Sequence, residues 1–412
     1  MYRCTLAILT MAVLFVNVGF GAGLTDSLKP GKAELMSASQ LAFGPEGILF
    51  IGDARQGAVF AVATEDTKAP ASPVKIEIKA INEKIAALLG IAPDDVLIND
   101  MKVNPLSQKV YVAVSRGRGA AASAVILQID GSNQIREFRL DNVRFDKAIL
   151  PDAPEVKPDA PLKFADGEAN ANPRVRTISD MSYVDGKLFV AGLSNDDFAS
   201  DLRTVPFPFQ TVSKGTGVRI WHTAHGTYET AAPIDKFVPY TINKQPFILA
   251  SYACTPLVKI PVAQLKPGAK VVGETIAELG QHNTPLETIP YRKDGHEFIL
   301  MTTNHKGVMK LSLDNPGQYP AINPPTAACS QLIRGVTQPG HGPKECQSDV
   351  AGVPLQVMTD LKGVWQMAKL NDTHAVMMAD SKGLPPEFTE GNANWFTLAP
   401  GRTLDLTTIS LP

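Results

Sequence analysis

Acidic side chains recur at one place in three similar stretches of the chain. Asp100 lies in "LINDMKV", Asp180 in "TISDMSYV" and Glu287 in "PLETIPY", and each stretch leads into a turn and a strongly β-forming strand. Carboxylates that converge repel one another unless a cation or basic groups neutralise them. Carboxylate and amide oxygens suit Ca²⁺ or another divalent cation. We therefore predict a metal site of Asp100, Asp180, Glu287 and Asn304. In the alternative, each acid holds neighbouring structural units together through hydrogen bonds.

A histidine follows the amide of this predicted metal site. His305 comes directly after Asn304, and an imidazole widens the choice of metal to transition metals. Histidine also serves as a general base near neutral pH, so His305 is the predicted catalytic residue if the protein is an enzyme. The chain lacks Cys-x-x-Cys-His, Gly-x-Ser-x-Gly, the phosphate-binding Gly-x-x-x-x-Gly-Lys-Ser/Thr and His-Glu-x-x-His.

The elements that must position these residues form a repeat. Each copy reads as a strand, a Gly, Asn or Asp turn, a second strand, a polar loop and a third strand, with a fourth strand often visible, as at 73–80, 134–140 and 270–279. Six copies at about 60-residue spacing predict an all-β protein, a β-propeller of six four-stranded blades, with a seventh blade left open. The residues that open the six first strands are Gln40, Asp100, Asp180, Asp235, Glu287 and Gln366.

The connections between blades include long insertions. In an antiparallel blade the first strand begins where the second strand ends, so the blade-to-blade connections share one face with the loops between second and third strands. The insertions at 64–97, 141–175 and 195–215 are predicted mainly on that face, where long loops often bind ligands. Within the first, "NEKIAALLG" predicts a helix with Asn82 as N-cap and Gly90 at its end. The acidic "SNDDFASD" (194–201) is interpreted as a solvated loop.

Two phrases carry a family resemblance. "GPEGILFIGD" (44–53) and "DM…DGKLFVAG" (180–192) resemble blades of the NHL and SMP-30 (gluconolactonase-like) six-bladed propellers. The resemblance covers most of the chain and consists of the order of strands and turns within each blade. It implies a six-bladed propeller and, by analogy, a lactonase or esterase-like hydrolase.

The composition limits the cellular context. The 412 residues carry a net charge of −2 and no Lys/Arg-rich block, so nucleic acid is not a predicted partner. Arg3, an apolar run at 6–20 and three small residues predict a signal peptide over 1–22 before one propeller domain over 23–412. The predicted location is periplasmic or extracellular, with no membrane span after cleavage. Cys329 and Cys346 flank a polar loop and are the predicted disulfide in this oxidising compartment.

Several functions stay open on the sequence alone. The favoured one is an exported, monomeric propeller that binds a small molecule, a glycan or a protein partner at its channel mouth, in one version through Ca²⁺ or another divalent cation. One alternative is a metal-dependent lactonase or esterase-like hydrolase. A weaker alternative is a quinoprotein-like redox propeller, for which no residue specifies the cofactor.

Overall fold

The computed structural model describes residues 23–156, 173–222, 227–253, 256–280, 283–322, 350–382 and 401–412. The predicted signal peptide and the cysteines Cys254, Cys329 and Cys346 lie outside these ranges, so the cleavage and the disulfide stay predictions. Within the described ranges, no helix is both long enough and apolar enough to cross a membrane.

Alternating strands and tight turns build six antiparallel sheets, numbered as blades in the chain order of their inner strands. The first three blades contain, from the inner strand outward, the following strands. Blade 1 has β2 (Gln40–Phe43), β3 (Ile48–Asp53), β4 (Ala58–Ala63), β10 (Val143–Ile149) and β1 (Lys29–Gly31); blade 2 has β6 (Val96–Val103), β7 (Val110–Arg116), β8 (Ser123–Ile129) and β9 (Ile135–Glu137); blade 3 has β11 (Asp180–Val184), β12 (Lys187–Leu193), β13 (Ser200–Pro206), β14 (Thr216–His222) and β15 (Thr227–Glu229), with β19 (Lys270–Val272) beside β14.

The other three blades follow the same plan. Blade 4 has β16 (Lys236–Ile242), β17 (Gln245–Ser251), β18 (Pro256–Pro261), β20 (Glu274–Leu279) and β24 (Val350–Gly352); blade 5 has β21 (Pro285–Lys293), β22 (His296–Thr303), β23 (Gly307–Ser312) and β25 (Leu355–Val357); blade 6 has β26 (Val364–Lys369), β27 (His374–Asp380), β28 (Leu404–Ser410) and β5 (Glu77–Ile78). The all-β, six-bladed propeller with a four-stranded core in each blade is therefore confirmed.

The helices are short. The α-helix α1 (Ile81–Leu89) ends at Gly90, whose φ of 65° is the left-handed conformation that glycine adopts without strain. The helix begins two residues earlier than predicted, and Ala80 rather than Asn82 is its N-cap. The 3₁₀ helices are Leu24–Ser27, Pro45–Gly47, Pro93–Asp95, Gly119–Ala121, Pro173–Arg176, Val262–Gln264 and Pro316–Gln318.

The turns of the inner hairpins explain why the repeat can be recognised in the sequence. Asp185 and Gly186 join β11 to β12, and both have positive φ, 48° and 77°. Asp294 and Gly295 join β21 to β22 in the same way, with φ of 51° and 83°. Two consecutive positive-φ residues form the tight turn whose twist matches paired strands, and Asp-Gly suits it.

The order of the blades around the ring differs from their order in the chain. The inner strands that pack side by side are β6 with β2, β2 with β11, β11 with β16, β16 with β21, β21 with β26, and β26 with β6. The spatial order is therefore 2-1-3-4-5-6. A separate cluster of buried hydrophobic side chains fills each seam, including blade 2 against blade 6 and blade 1 against blade 3.

The exchanged order corrects two sequence predictions. The strand predicted at 73–80 is β5, which pairs with β28 and completes blade 6 rather than blade 1. Blade 1 instead takes β10, which lies inside the predicted second insertion and pairs with β4. The outer edge of any blade offers the same unpaired backbone groups, so sequence proximity does not select the strand that fills it.

The insertions are also divided between the two faces. We call the end of the propeller where the inner strands begin the strand-start face. In the insertion at 64–97, Asp66 hydrogen-bonds Ser107 and forms an ion pair with Lys109 at the β6–β7 turn. The first part of this insertion therefore lies on the opposite face. Only its second part, with α1, reaches the strand-start face, since β6 begins there.

Candidate functional site

Each inner strand brings one polar residue to the strand-start face. Asp100, Glu287 and Gln366 directly follow an irregularity in the strand pairing, as expected of a β-bulge that re-aims a side chain. In the other three blades the corresponding residue is the first of its strand: Gln40, Asp180 or Lys236. All six are buried, the most exposed at only 7%. We call this set the polar ring: Gln40, Asp100, Asp180, Lys236, Glu287 and Gln366.

Blade 4 contributes a residue that the sequence did not predict. The predicted opening residue, Asp235, lies one position before β16 and pairs with Arg176. Lys236 takes its place, because a shift of one residue moves a side chain to the other face of a strand. An acid predicted at this position is thus a base.

The exchanged blade order separates the acids of the polar ring. In chain order Asp100 and Asp180 would belong to adjacent blades, but Gln40 of blade 1 lies between them. Lys236 lies between Asp180 and Glu287 in the same way. Around the ring, each carboxylate is therefore flanked by residues without negative charge, which reduces the repulsion that the sequence led us to expect.

Two lysines neutralise most of the carboxylate charge. Lys102 Nζ lies 3.1 Å from Asp100 Oδ1 and 2.6 Å from Glu287 Oε2, so it joins blade 2 to blade 5. Lys236 Nζ lies 3.7 Å from Asp180 Oδ1 and 2.9 Å from Gln40 Oε1. Three carboxylates and two ammonium groups leave one formal negative charge in the buried centre. Residues two apart share a strand face, so the signal for Lys102 was its position two residues after Asp100.

These contacts determine which groups are ionised. Burial opposes the charge of Asp100, but the Lys102 and Lys236 ammonium groups hold its pKa below the usual value. Burial raises the pKa of Asp180 and of Glu287 against the attraction of the same lysines. Burial also disfavours the lysine charges, yet the surrounding carboxylates raise the pKa of both. Both lysines therefore stay protonated at neutral pH and are not available as nucleophiles or bases.

Two of the acids also connect neighbouring blades. Asp100 Oδ2 accepts a hydrogen bond from the backbone N–H of Leu41 in blade 1, at 2.7 Å. Asp180 Oδ2 accepts one from the N–H of Phe237 in blade 4, at 2.9 Å. The inner edge of a propeller has no further strand to receive these N–H groups, so the carboxylates satisfy them. These bonds are the ones that the structural alternative predicts.

The remaining predicted site residues lie at the end of blade 5. Asn304 follows β22 and is buried, and its Oδ1 accepts the backbone N–H of Thr284 at 2.7 Å. Its Nδ2 is buried without a hydrogen-bond partner among the described residues. His305 is exposed, and its backbone N–H donates to Asn283 Oδ1.

The structure thus joins Asp100 and Glu287 through one lysine and places Asp180 against another. In the part of the chain that the structure describes, no group of three or more His, Cys, Asp or Glu side chains could hold a metal ion. The cation and the catalytic role of His305 stay predictions.

A second buried charge cluster lies in blade 3. Arg203 is fully buried, with its Nε 2.6 Å from Asp152 Oδ1 and 3.6 Å from Asp201 Oδ1. Its two terminal nitrogens donate to the carbonyl oxygens of Thr177 and Leu193. Arg203 therefore ties β13 to the segment before β11 and to the segment after β10.

Asp201 corrects the interpretation of the acidic loop. The side chain is buried on β13 rather than solvated, and a Cβ added at Gly215 would lie 1.8 Å from its Oδ1. Burial raises the pKa of Asp201 to about 7; the Arg203 guanidinium opposes this shift and the Asp152 charge adds to it.

This raised pKa predicts a pH-dependent stability. The folded protein keeps a proton on Asp201 from about pH 4 to about pH 7, where the unfolded chain has lost it. The contribution of Asp201 to the free energy of unfolding should therefore be largest below pH 4. It should fall by roughly 2–4 kcal/mol as the pH rises to 7. In Asp201→Asn, which mimics the protonated acid, urea unfolding at pH 4.5 to 8 should show a smaller fall. Asp141→Asn, at an exposed ion pair with Arg139, is the control; an equal fall in Asp201→Asn and wild type would contradict the assignment.

The comparisons with known proteins support no family. No protein-family model matches the chain, and no curated protein matches it significantly. The resemblance to the NHL and SMP-30-like propellers is therefore not confirmed beyond the fold.

Solved structures show only a distant likeness. A protein described as an oxidoreductase (glucose dehydrogenase) from Thermus thermophilus is 12% identical with a TM-score of 0.31, covering 93% of this chain and 100% of its own. The PQQ-bound aldose sugar dehydrogenase of Streptomyces coelicolor is 11% identical with a TM-score of 0.28, covering 92% and 98%. An α-L-arabinanase variant of Cellvibrio cellulosa is 10% identical with a TM-score of 0.27, covering 68% and 92%. We draw no chemistry from likenesses this distant.

Proposed function

We propose that the protein binds a small polar molecule at the strand-start face, beside the polar ring. The observation that supports this is a group of buried polar atoms without partners in the described ranges, at this end of blades 5 and 6. They are Asn304 Nδ2, Trp365 Nε1 and Gln366 Oε1. Buried polar atoms in native proteins are nearly always hydrogen-bonded, so these three are suited to receive a bound molecule or ordered water.

Binding fits the chemistry of the ring better than hydrolysis. Its lysines are held protonated and its carboxylates are engaged with ammonium and backbone N–H groups. Such groups provide a fixed electrostatic environment rather than a nucleophile. A lactonase or esterase with His305 as its base, and a divalent cation at Asp100, Asp180, Glu287 and Asn304, stay as sequence predictions. So do export and the monomeric state.

The two glutamines of the polar ring provide a matched test that needs no known ligand. Gln40 Oε1 accepts from Lys236, whereas Gln366 Oε1 has no described partner. Gln40→Leu should lower the free energy of unfolding by about 1–3 kcal/mol, because it leaves a buried ammonium group short of an acceptor. Gln366→Leu should leave the stability unchanged or raise it by about 1 kcal/mol, since an unpartnered polar group is replaced by an apolar one.

Urea unfolding of the ligand-free proteins measures both changes. If Gln366→Leu lowered the free energy of unfolding as much as Gln40→Leu, Gln366 would be a residue that stabilises the fold. The case for a ligand-binding face would then be lost.

A further inference from the structure

A small cavity lies in the seam between blades 2 and 6, at the strand-start face. Its volume is about 30 Å³, enough for about two water molecules. The walls are about half apolar and half polar, and α1 and the 3₁₀ turn Pro93–Asp95 contribute to them. The lining includes Asn82, Asp94, Arg118, Trp365, Gln366 and Met378.

The unmet hydrogen-bonding capacity of this cavity is specific. Trp365 is 8% exposed and Gln366 is 3% exposed. The indole Nε1–H of the first is a donor and the Oε1 of the second is an acceptor, and neither has a partner among the described residues. Adjacent residues of a regular strand face opposite sides, but the pairing of β26 is irregular between Val364 and Gln366, and both Trp365 and Gln366 line the cavity. The cavity therefore presents one donor and one acceptor.

Two of the other polar residues in the lining, Asn82 and Arg118, are engaged. Asn82 Oδ1 accepts the backbone N–H of Leu404 at 2.9 Å, and its Nδ2 donates to Arg402 O at 3.3 Å. Arg118 Nε donates to Asp94 O at 2.7 Å. Asp94 is exposed, so its carboxylate is open to water. Among the buried lining residues, Trp365 and Gln366 carry the polar atoms without described partners.

We propose that this cavity binds the hydroxyl group of a small alcohol or polyol. A hydroxyl donates one hydrogen bond and accepts others, so a single oxygen can serve both Gln366 Oε1 and Trp365 Nε1–H. An ionised carboxylate only accepts and would leave Gln366 unsatisfied, while an ammonium group only donates and would leave Trp365 unsatisfied. The apolar lining residues, Met378 among them, suit the carbon that bears the hydroxyl, and the volume admits that one carbon beside the oxygen. The proposal rests on the proposed function and narrows its ligand class.

The test observes the indole group itself. The chain has three tryptophans, so ¹⁵N-labelled protein gives three indole signals, and Trp365→Phe assigns one of them. If that variant fails to fold, Trp221→Phe and Trp395→Phe assign the signal by elimination. On titration with 1,2-propanediol, the Trp365 signal should shift saturably. The matched probe 1,2-dimethoxyethane has acceptors and no donor, and it should shift the signal less and without saturation.

A second variant tests the acceptor. Gln366→Leu should weaken the apparent diol affinity about tenfold, the change expected for loss of one hydrogen bond. A Trp365 signal that does not move with the diol would mean that the cavity holds water only. An equal response to both probes, or an unchanged affinity in Gln366→Leu, would overturn the hydroxyl assignment. The stability comparison of the two glutamines uses no probe, so the broader binding proposal stands or fails separately.

Discussion

Lys102→Met should lower the free energy of unfolding by about 3 kcal/mol. The Lys102 ammonium group contacts both Asp100 and Glu287, and these carboxylates are 0% and 3% exposed. Without it, the polar ring carries two formal negative charges that water cannot solvate. Removal of one partner from a buried ion pair typically costs about 3–5 kcal/mol, and we expect the lower end because Lys102 keeps 20% of its side-chain exposure. Urea unfolding at pH 7 measures the change.

The double variant Lys102→Met/Glu287→Gln separates charge from packing. It should recover part of the loss, because one of the two uncompensated carboxylates is removed. Lys214→Met, at an exposed pair with Asp196, should change the stability by less than about 1 kcal/mol. If Lys102→Met costs no more than this control, the lysine does not neutralise the ring.

The same proteins test the predicted divalent cation. A chelator that lowers the melting temperature of the wild type would support a metal at Asp100, Asp180 and Glu287. An unchanged melting temperature would mean that Lys102 and Lys236, which lie against these carboxylates, neutralise them without a metal.

Arg203→Leu should cost about 3–5 kcal/mol. The guanidinium and the carboxylate of Asp152 are both fully buried, and Asp152 also accepts the backbone N–H of Gly215 at 2.8 Å. The substitution leaves a buried carboxylate without its cation and two carbonyl oxygens without donors. The two acceptors left without donors place the expected loss at the upper end of this range.

Two further variants sharpen this result. Arg203→Lys keeps the positive charge but cannot direct donors at three acceptors at once, so its stability should lie between those of Arg203→Leu and wild type. Arg139→Leu, at an exposed pair with Asp141, should change the stability by less than about 1 kcal/mol. A wild-type stability in Arg203→Leu would show that the cluster does not hold the segments around blade 3 together.

The polar ring and the Arg203 cluster differ in what they offer a ligand. Arg203 is enclosed by acceptors from its own and neighbouring segments, which fits a structural role. The polar ring adjoins atoms with unmet hydrogen-bonding capacity in blades 5 and 6. Stability losses are expected at both places, but only the polar ring should respond to a bound molecule.

The sequence alone determined the local structure. Alternating apolar residues and Asp-Gly turns specify paired strands through contacts between near neighbours in the chain, so the six blades can be counted from the residue pattern. The position of Asp100, Asp180 and Glu287 near the start of inner strands follows from the same local pattern.

Only the tertiary structure decided which blades are neighbours and what neutralises the acids. An outer strand pairs through backbone groups that every sequence carries, so β5 and β10 could close any blade, and packing of the seams placed them in blades 6 and 1. That order puts Gln40 between two acids and brings Lys102 of blade 2 to Glu287 of blade 5, 185 residues apart in the chain. The register of β16 then selects Lys236 over Asp235. The charge of a buried site depends on such long-range contacts, which local periodicity does not encode.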